Sequence, residues 1–385
     1  MPKWSDFGGI WTTLRDIDVS AIREESERPL AFACVGHDTA LGAISQLLST
    51  SLDRYPAGGA SPLVLIPLAE AAERADRLRG VDLLVLAVDA RRGLTAAEGG
   101  AFSRSEALAV PYVVAVVYGD HTAPGLSNLP PAVAARAVAI PDPSALDAAD
   151  RLAVELLRRL PGDLHLAAAR RLPGLRAVYA RDLIATTSFT NATYALASGL
   201  PEQIPILSVP FAAADILVLT KNQAVLVYRL ALAFGAPPGF QDRIREVLPV
   251  VGGAFLWRQA ARSLVGLIPI WGLVPKVAVS YAGTYTTGVA AWRWYEHGEL
   301  VSTDQLRRIS AEALTIGRAR ATEIIERARV AGTRAAERAR DASASAAEQA
   351  RGAGAGIWSG VRERLPFRRR RPALSGEDHP TTNDQ

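Results

Sequence analysis

Five titratable residues stand just past short apolar runs in the first half of the chain: His37, Asp38, Asp89, Asp120 and His121. If those runs are strands of one sheet, their ends share a rim that gathers two imidazoles and three carboxylates. Such a set suits a metal ion or a small polar ligand. A simpler reading competes: Asp and His favour solvated turns after strands, and no spacing here matches a dedicated metal motif. We therefore expect no metal site. Nucleophilic chemistry has less to work with. The chain holds no G-x-S-x-G, no C-x-x-C and no H-E-x-x-H. Cys34 falls inside an apolar run, where a thiol is inert, and His165, His297 and His379 follow no pattern. No catalytic residue is expected.

The elements that would position this rim alternate in type. Residues 30–35, 63–66, 81–88, 113–117 and 137–140 are short buried strands, and residues 41–52, 68–78 and 146–160 are helical. Alternation of this kind predicts an α/β doubly wound domain with a mostly parallel sheet, whose ligand crevice lies beyond the carboxyl ends of the strands. Ahead of it, Phe7, Ile10, Trp11, Leu14 and Ile17 predict an amphipathic helix over 4–22. It either docks on the following domain, the preferred reading, or lies in a membrane interface.

The chain has 385 residues, 49% of them apolar, with room for two domains and appendages. One cysteine forbids an internal disulfide and makes a reducing cytoplasm the simplest compartment. The first thirty residues lack the apolar core and small-residue cleavage site of a signal peptide. A net charge of +4 hides an asymmetry: residues 1–301 carry 27 basic and 28 acidic groups, and residues 302–371 carry 16 arginines against 8 acids. Lysine occurs only at positions 3, 221 and 276.

Pro161-Gly162 marks a boundary, after which residues 164–180 and 182–200 read as helices. Residues 204–235 follow as I-P-I-L-S-V-P-F-A-A-A-D-I-L-V-L-T-K-N-Q-A-V-L-V-Y-R-L-A-L-A-F-G. Pro205 and Pro210 predict an extended or turning entry. From Phe211 nothing breaks a helix until Gly235, with Pro237 and Pro238 beyond it. Only Asp215, Lys221 and Arg229 are charged, so this helix is buried in protein or lies against lipid. Asp215 and Arg229 are about 21 Å apart along a straight helix, so they cannot pair on it. For Asp215 the basic candidates are Arg229, Arg258, Arg262 and Lys276. A link over 241–246 and a segment over 247–257 follow. Residues 263–292 then carry one charge, Lys276. Their length suffices for a bilayer, yet Pro269, Pro275 and several glycines break the run, and a helical hairpin or buried core pair fits as well.

The pattern A-D-I-L-V-L-T-x-x-Q-x-x-L-V-Y-R-L-A-x-x-F-G, from Ala214 to Gly235 and including Gln223, resembles the signature of a helical domain of uncharacterised function. That domain sits C-terminal to Era-like GTPase domains in bacteria, and YcjF-like membrane proteins carry a version of it. The likeness continues in R-S-L-V-G-L-I-P-I-W-G and A-G-T-Y-T-T-G, within 262–288. It implies association with a membrane and with a G domain rather than a reaction. A second resemblance fits: V-D-L-L-V-L-A-V-D-A-R-R-G-L-T, from Val81, and P-Y-V-V-A-V-V-Y-G-D, ending at Asp120, are similar to two strands of Era-like GTPases.

The chemistry of that family does not follow. A phosphate loop needs G-x-x-x-x-G-K-[ST], and counting from Gly36 the last three positions hold Leu41, Gly42 and Ala43. No lysine lies between Lys3 and Lys221. Where N-K-x-D belongs, Val117, Tyr118, Gly119 and Asp120 stand, and Pro67-Leu68-Ala69-Glu70 replaces D-x-x-G. Losing the Lys, the hydroxyl and the magnesium-side Asp together removes phosphoryl-transfer electrostatics. GTP is not an expected cofactor, and Gly36, Asp38, Asp89 and Asp120 remain only as a degenerate crevice.

From 302 onward Ala, Arg and Glu predict a long exposed helix, ended by Gly352–Gly356. Residues 357–371 then combine Trp358, Leu365 and Phe367 with six arginines, among them the consecutive Arg368, Arg369, Arg370 and Arg371. Such segments are attracted to anionic leaflets at about 1 kcal/mol per basic residue, which makes Trp358, Phe367 and these four arginines the expected membrane-surface residues. A solvated disordered tail is the competing reading. With no zinc motif or RNA-recognition signature, and with its bases interleaved with acids, the tail is not read as nucleic-acid-binding.

The expected organisation is an amphipathic helix over 1–29, a degenerate G domain over 30–160 and a YcjF-like helical domain over 161–300. An Ala/Arg/Glu helix over 301–351 and a polybasic, disordered tail over 352–385 complete it. Asp215, Lys221, Gln223, Arg229 and Lys276 are its structural or interaction residues. The expected function is a non-catalytic scaffold or regulator at the cytoplasmic face of the membrane, with anionic lipid and an unidentified protein as partners. Two alternatives stand beside it. One is a nucleotide-binding membrane GTPase with an altered phosphate loop, using Arg91 or Arg92 for the missing lysine. The other is a soluble interaction protein with a basic tail.

Overall fold

The structure is a computed structural model that describes residues 17–71, 73–74, 78–92, 95–107, 109–119, 131–199, 208–250 and 273–362. Helix α1 (Ser20–Glu27) leads into β1 (Phe32–Gly36), α2 (Asp38–Ser49), β2 (Leu63–Pro67) and β3 (Leu83–Asp89). Then come α3 (Ala96–Ala107), β4 (Tyr112–Val117), the single turn α4 (Pro131–Ala134), β5 (Ala137–Ile140) and α5 (Ala148–Arg159). The five strands form one parallel sheet in the order β2-β1-β3-β4-β5. The expected α/β doubly wound architecture is therefore present. Strands buried on both faces read as continuous apolar runs, as in Phe32-Ala33-Cys34-Val35, where alternate side chains enter opposite layers. Phe32 and Cys34 pack with α2 and α5, and Ala33 and Val35 pack with Ile66, Leu86 and Ala101.

Helices α6 (His165–Arg171), α7 (Arg176–Gly199), α8 (Ser208–Ala233), α9 (Phe240–Val250), α10 (Leu273–His297) and α11 (Thr303–Arg362) complete the described elements. The core on the α2/α5 face runs without a break into this helical region through Leu172, Tyr179, Tyr228 and Tyr295. Residues 1–325 form one compact unit, and residues 326–385 are assigned to a second. Within the first, Leu306, Ile309, Ala313, Ala321 and Ile324 of α11 are buried.

Several boundaries differ from expectation. The two helices expected over 164–180 and 182–200 are broken earlier: Pro173 disfavours helix at Leu172, so a 3₁₀ turn separates α6 from an unbroken α7. Pro210 lies inside the first turn of α8, where a missing N–H costs nothing. The expected link over 241–246 is helical, in α9. α3 was not anticipated at all. α11 continues through Gly352–Gly356 to Arg362, because isolated glycines cost about 1 kcal/mol each against alanine without barring a helix. The helix expected over 4–22 falls mostly outside the described residues; α1 shares only residues 20–22 with it and continues to Glu27. Residues 263–272 are also outside. Among the described residues no helix is long and apolar enough to cross a membrane.

The stop of α8 follows the sequence closely. Gly235 has φ +82°, its N–H bonds to the Leu232 carbonyl at 3.0 Å, and Ala236 N–H bonds to the Ala231 carbonyl at 2.9 Å. This is a Schellman cap. A Cβ at Gly235 would collide with the Pro56 carbonyl oxygen, so the loop after α2 sits directly against this turn.

Candidate functional site

The order β2-β1-β3-β4-β5 reverses direction between β1 and β3, and a doubly wound sheet binds its ligand beyond the carboxyl ends of the strands at that point. β1 ends at Gly36 and β3 at Asp89. Gly36 is registered on Ala87, and a Cβ there would run into the Ala87 carbonyl oxygen. Close strand pairing thus explains this glycine without a ligand.

Beyond Gly36 the chain enters α2 at once. His37 is the N-cap, in extended conformation, and Asp38 is the first helical residue. The Leu41 N–H already bonds to the His37 carbonyl at 2.8 Å. A phosphate loop wraps its anion with several residues between strand and helix; here one residue stands between them. Asp38 places a carboxylate on the helix N-terminus, the position an anion would occupy.

Asp89 is 2% exposed. Its Oδ2 accepts from Thr39 Oγ1 at 2.9 Å and from Arg91 Nη2 at 2.7 Å, and its Oδ1 accepts from Arg91 Nε at 2.9 Å. These bonds, the Arg91 guanidinium foremost, hold the carboxyl down at about 2 against the opposing effect of burial. The same guanidinium also passes beside Gly119, at the end of β4. Arg91, a candidate for the missing phosphate-binding cation, is therefore already engaged with a buried carboxylate.

Glu98 completes the cluster, and the sequence reading missed it together with α3. Its signal was T-A-A-E, a capping box. Thr95 N–H donates to Glu98 Oε2 at 2.7 Å, and Glu98 N–H donates to Thr95 Oγ1 at 3.3 Å. The other carboxylate oxygen, Oε1, lies 3.8 Å from His37 Nε2, and both atoms are buried without a hydrogen-bond partner. The structure thus brings His37, Asp38 and Asp89 to one rim and adds Thr39, Arg91 and Glu98. Asp120 and His121 lie outside the described residues. Among the described residues no group of three or more His, Cys, Asp or Glu side chains could hold a metal ion.

A larger polar assembly lies at the opposite end of the sheet, where α2 returns to the amino ends of the strands. Arg176 is 1% exposed and donates to Asp53 Oδ2 at 2.7 Å, to the Tyr55 carbonyl at 3.0 Å and to the Pro56 carbonyl at 3.0 Å. Burial lowers its pKa, and the Asp53 carboxylate opposes that shift. Arg54 N–H bonds to the Glu296 carbonyl at 2.9 Å, and its guanidinium lies 4.1 Å from the Trp294 ring centroid. Arg243 Nη1 donates to Tyr55 Oη at 3.1 Å and to Glu246 at 2.8 Å. Loop 50–62 is thereby fastened to α7, α9 and α10.

The residues singled out in the helical region and the tail divide. Arg229 is held by Glu25 of α1 through two bonds of 2.8 Å, which makes α1, rather than another part of α8, its partner. Gln223 Nε2 lies 3.4 Å from Thr284 Oγ1, in a polar layer where Asn191 Nδ2 donates to Thr284 at 2.9 Å and Asn222 Nδ2 to Asn191 at 2.6 Å. Lys221 is exposed and Lys276 half-buried. The side chains of Asp215 and Trp358 lie outside the described residues, as do Arg258 and Arg262. The expected membrane-surface residues Phe367, Arg368, Arg369, Arg370 and Arg371 lie outside them too, beyond the end of α11 at Arg362. Burial pushes the Cys34 thiol pKa up, as an inert core cysteine requires.

No family model matches the chain, and neither the curated proteins nor the solved structures give a match.

Proposed function

We propose that the protein is a non-catalytic, membrane-associated scaffold or regulator. In this reading a degenerate Era-like G domain is joined to a YcjF-like helical domain, with the basic tail resting on an anionic surface at the cytoplasmic face. The observation that carries the non-catalytic part is the junction at His37: one residue between β1 and α2 leaves no backbone loop to enclose a phosphate. The engagement of Arg91 by Asp89 weighs against the alternative of a nucleotide-binding protein with a substitute cation. The fastening of loop 50–62 supports a part that transmits no nucleotide signal. For the membrane, the support is the sequence of 357–371.

Two measurements test the reading. A fluorescent GTP analogue titrated with magnesium should show no saturation in the micromolar range; saturable, magnesium-dependent binding would refute the non-catalytic part. The full chain should co-float with anionic vesicles more than with neutral ones. Replacing Arg368, Arg369, Arg370 and Arg371 together with Gln should weaken that binding, as should added salt. Equal recovery with both vesicle types would remove the electrostatic anchor.

A further inference from the structure

Helix α1 is held by the helical region rather than by its own sequence. It has 8 residues, S-A-I-R-E-E-S-E, fewer than the ~12–15 at which isolated helices begin to persist in water. Its N-cap is Val19, whose side chain caps nothing, and Glu24, Glu25 and Glu27 crowd its carboxyl-terminal half. The macrodipole already makes that end negative, so the three carboxylates oppose the helix they belong to.

The seat formed by α6 and α8 supplies what α1 lacks. Arg229 of α8 grips both Glu25 carboxylate oxygens at 2.8 Å, in the parallel fork of a guanidinium on a carboxylate. Arg171 of α6 donates to the Arg28 and Glu27 carbonyls at 2.7 and 3.0 Å, which puts a cation on the free end of the helix. Val19 and Ile22 pack against the core beneath. Contacts that do not involve α1 hold the walls of this seat together. Arg170 donates to the Leu232 and Ala236 carbonyls at 2.8 and 3.0 Å and so ties α6 to the end of α8. Leu166, Ala168, Tyr228 and Leu232 belong to the main core. The occupant is less firmly placed than the walls. Arg229 and Glu25 are 26% and 18% exposed, so water reaches the pair. The chain is next fixed at Ala31, whose N–H donates to Asp82 Oδ2 at 2.8 Å.

A seat that reads a carboxylate, two apolar side chains and the free end of a helix treats α1 as a ligand. We propose that it is a docking site for an acidic helix of a protein partner, which α1 occupies in cis and must vacate. The fitting helix carries two apolar residues and a carboxylate at three-residue intervals, as Val19, Ile22 and Glu25 do, and ends soon after the carboxylate. A short tether keeps α1 at a local concentration on the order of millimolar. A partner therefore binds the closed chain weakly, in proportion to the fraction that is open. The inference stands apart from the empty crevice and from the basic tail, and its failure would leave both untouched.

Fluorescence anisotropy of a labelled peptide spanning residues 17–31 tests it on the full chain. Glu25→Lys should eject α1 from Arg229 and raise the affinity for the peptide by roughly tenfold or more over the parent. Glu25→Gln, a milder release, should shift it in the same direction. Adding Arg229→Glu to Glu25→Lys should abolish binding, and a scrambled peptide of the same composition should bind none of the chains. With Arg229→Glu alone, the peptide carrying Glu25→Lys should bind in place of the natural one. Far-ultraviolet spectra report that each chain keeps its fold. Equal affinity for the parent and the folded Glu25 variants, or no binding in any arm, overturns the inference. So does binding that survives Arg229→Glu or that the scrambled peptide reproduces.

Discussion

The two ends of the parallel sheet are built on different principles. At the carboxyl ends, most polar contacts are near in sequence: Arg91 reaches back two residues to Asp89 and Glu98 caps its own helix, with one bond from Thr39 to Asp89, while His37 Nε2 and Glu98 Oε1 stay unpaired. At the amino ends, one buried guanidinium joins residues more than a hundred positions apart, with Asp53, Tyr55 and Pro56 on one side and α7 on the other. In an α/β protein that works on a ligand, the carboxyl ends carry the chemistry and the opposite end carries stability. Here the carboxyl end holds mostly short-range pairs, and the buried guanidinium that joins the most distant parts of the chain lies where the helical region docks. The difference shows that the sheet is tied to the helical region at its amino ends.

The sharpest way to break the comparison is Arg176→Met. It leaves Asp53 and several loop carbonyls without their donor, and uncompensated buried charge costs about 3–5 kcal/mol. A denaturant midpoint close to the parent's would show that the amino-end assembly is not the fastening it is described to be. Pairing the change with Asp53→Asn should recover part of the loss, since the two act as a unit.

Next in size are Arg229 and Glu25, both partly exposed. Glu25→Gln leaves Arg229 with a neutral acceptor, at a cost of about 1–2 kcal/mol by the difference between charged and neutral hydrogen bonds. Thermal unfolding reads this, and hydrogen exchange should place the loss in α1. A loss spread evenly over the sheet would contradict the pairing as the anchor of α1.

At the carboxyl end, Asp89→Asn should cost on the order of 2 kcal/mol near neutral pH, following the drop of its carboxyl from 3.8 to about 2. Because the folded value is the lower one, that contribution is complete above about pH 4 and is lost as pH falls through about 2. The parent's advantage over Asp89→Asn should therefore shrink across that acid window. A difference independent of pH would place the effect in packing instead.

The smallest change has the opposite sign. Ser188 Oγ is buried without a hydrogen-bond partner beside the polar layer of α7, α8 and α10. Ser188→Ala should leave stability unchanged or raise it by up to about 1 kcal/mol. A clear loss would mean that the hydroxyl has a role the layer does not reveal.

How much of this could be read from the sequence depended on the range of each interaction. The strands were legible because runs such as 83–88 are continuously apolar, and the α8 stop was legible because Gly235 and the prolines behind it act locally. α3 was missed because A-A-E-G-G-A-F-S-R-S-E-A carries only a weak apolar stripe and two adjacent glycines; only its capping box announced it. The missing phosphate-loop lysine was plain, whereas the one-residue junction at His37 was hidden by expecting β1 to end at 35 and α2 to start at 41. Nothing in the sequence near Arg176 could name Asp53, since that contact exists only after the helical region has docked.

In the function proposed here the carboxyl-end crevice takes no nucleotide and loop 50–62 stays fastened whatever is added. Hydrogen exchange of the full chain, with and without millimolar GTP and magnesium, tests both halves in one experiment. Identical protection of residues 36–41 and of loop 50–62 is expected under the two conditions. New protection at 36–41, with or without release of loop 50–62, would contradict it.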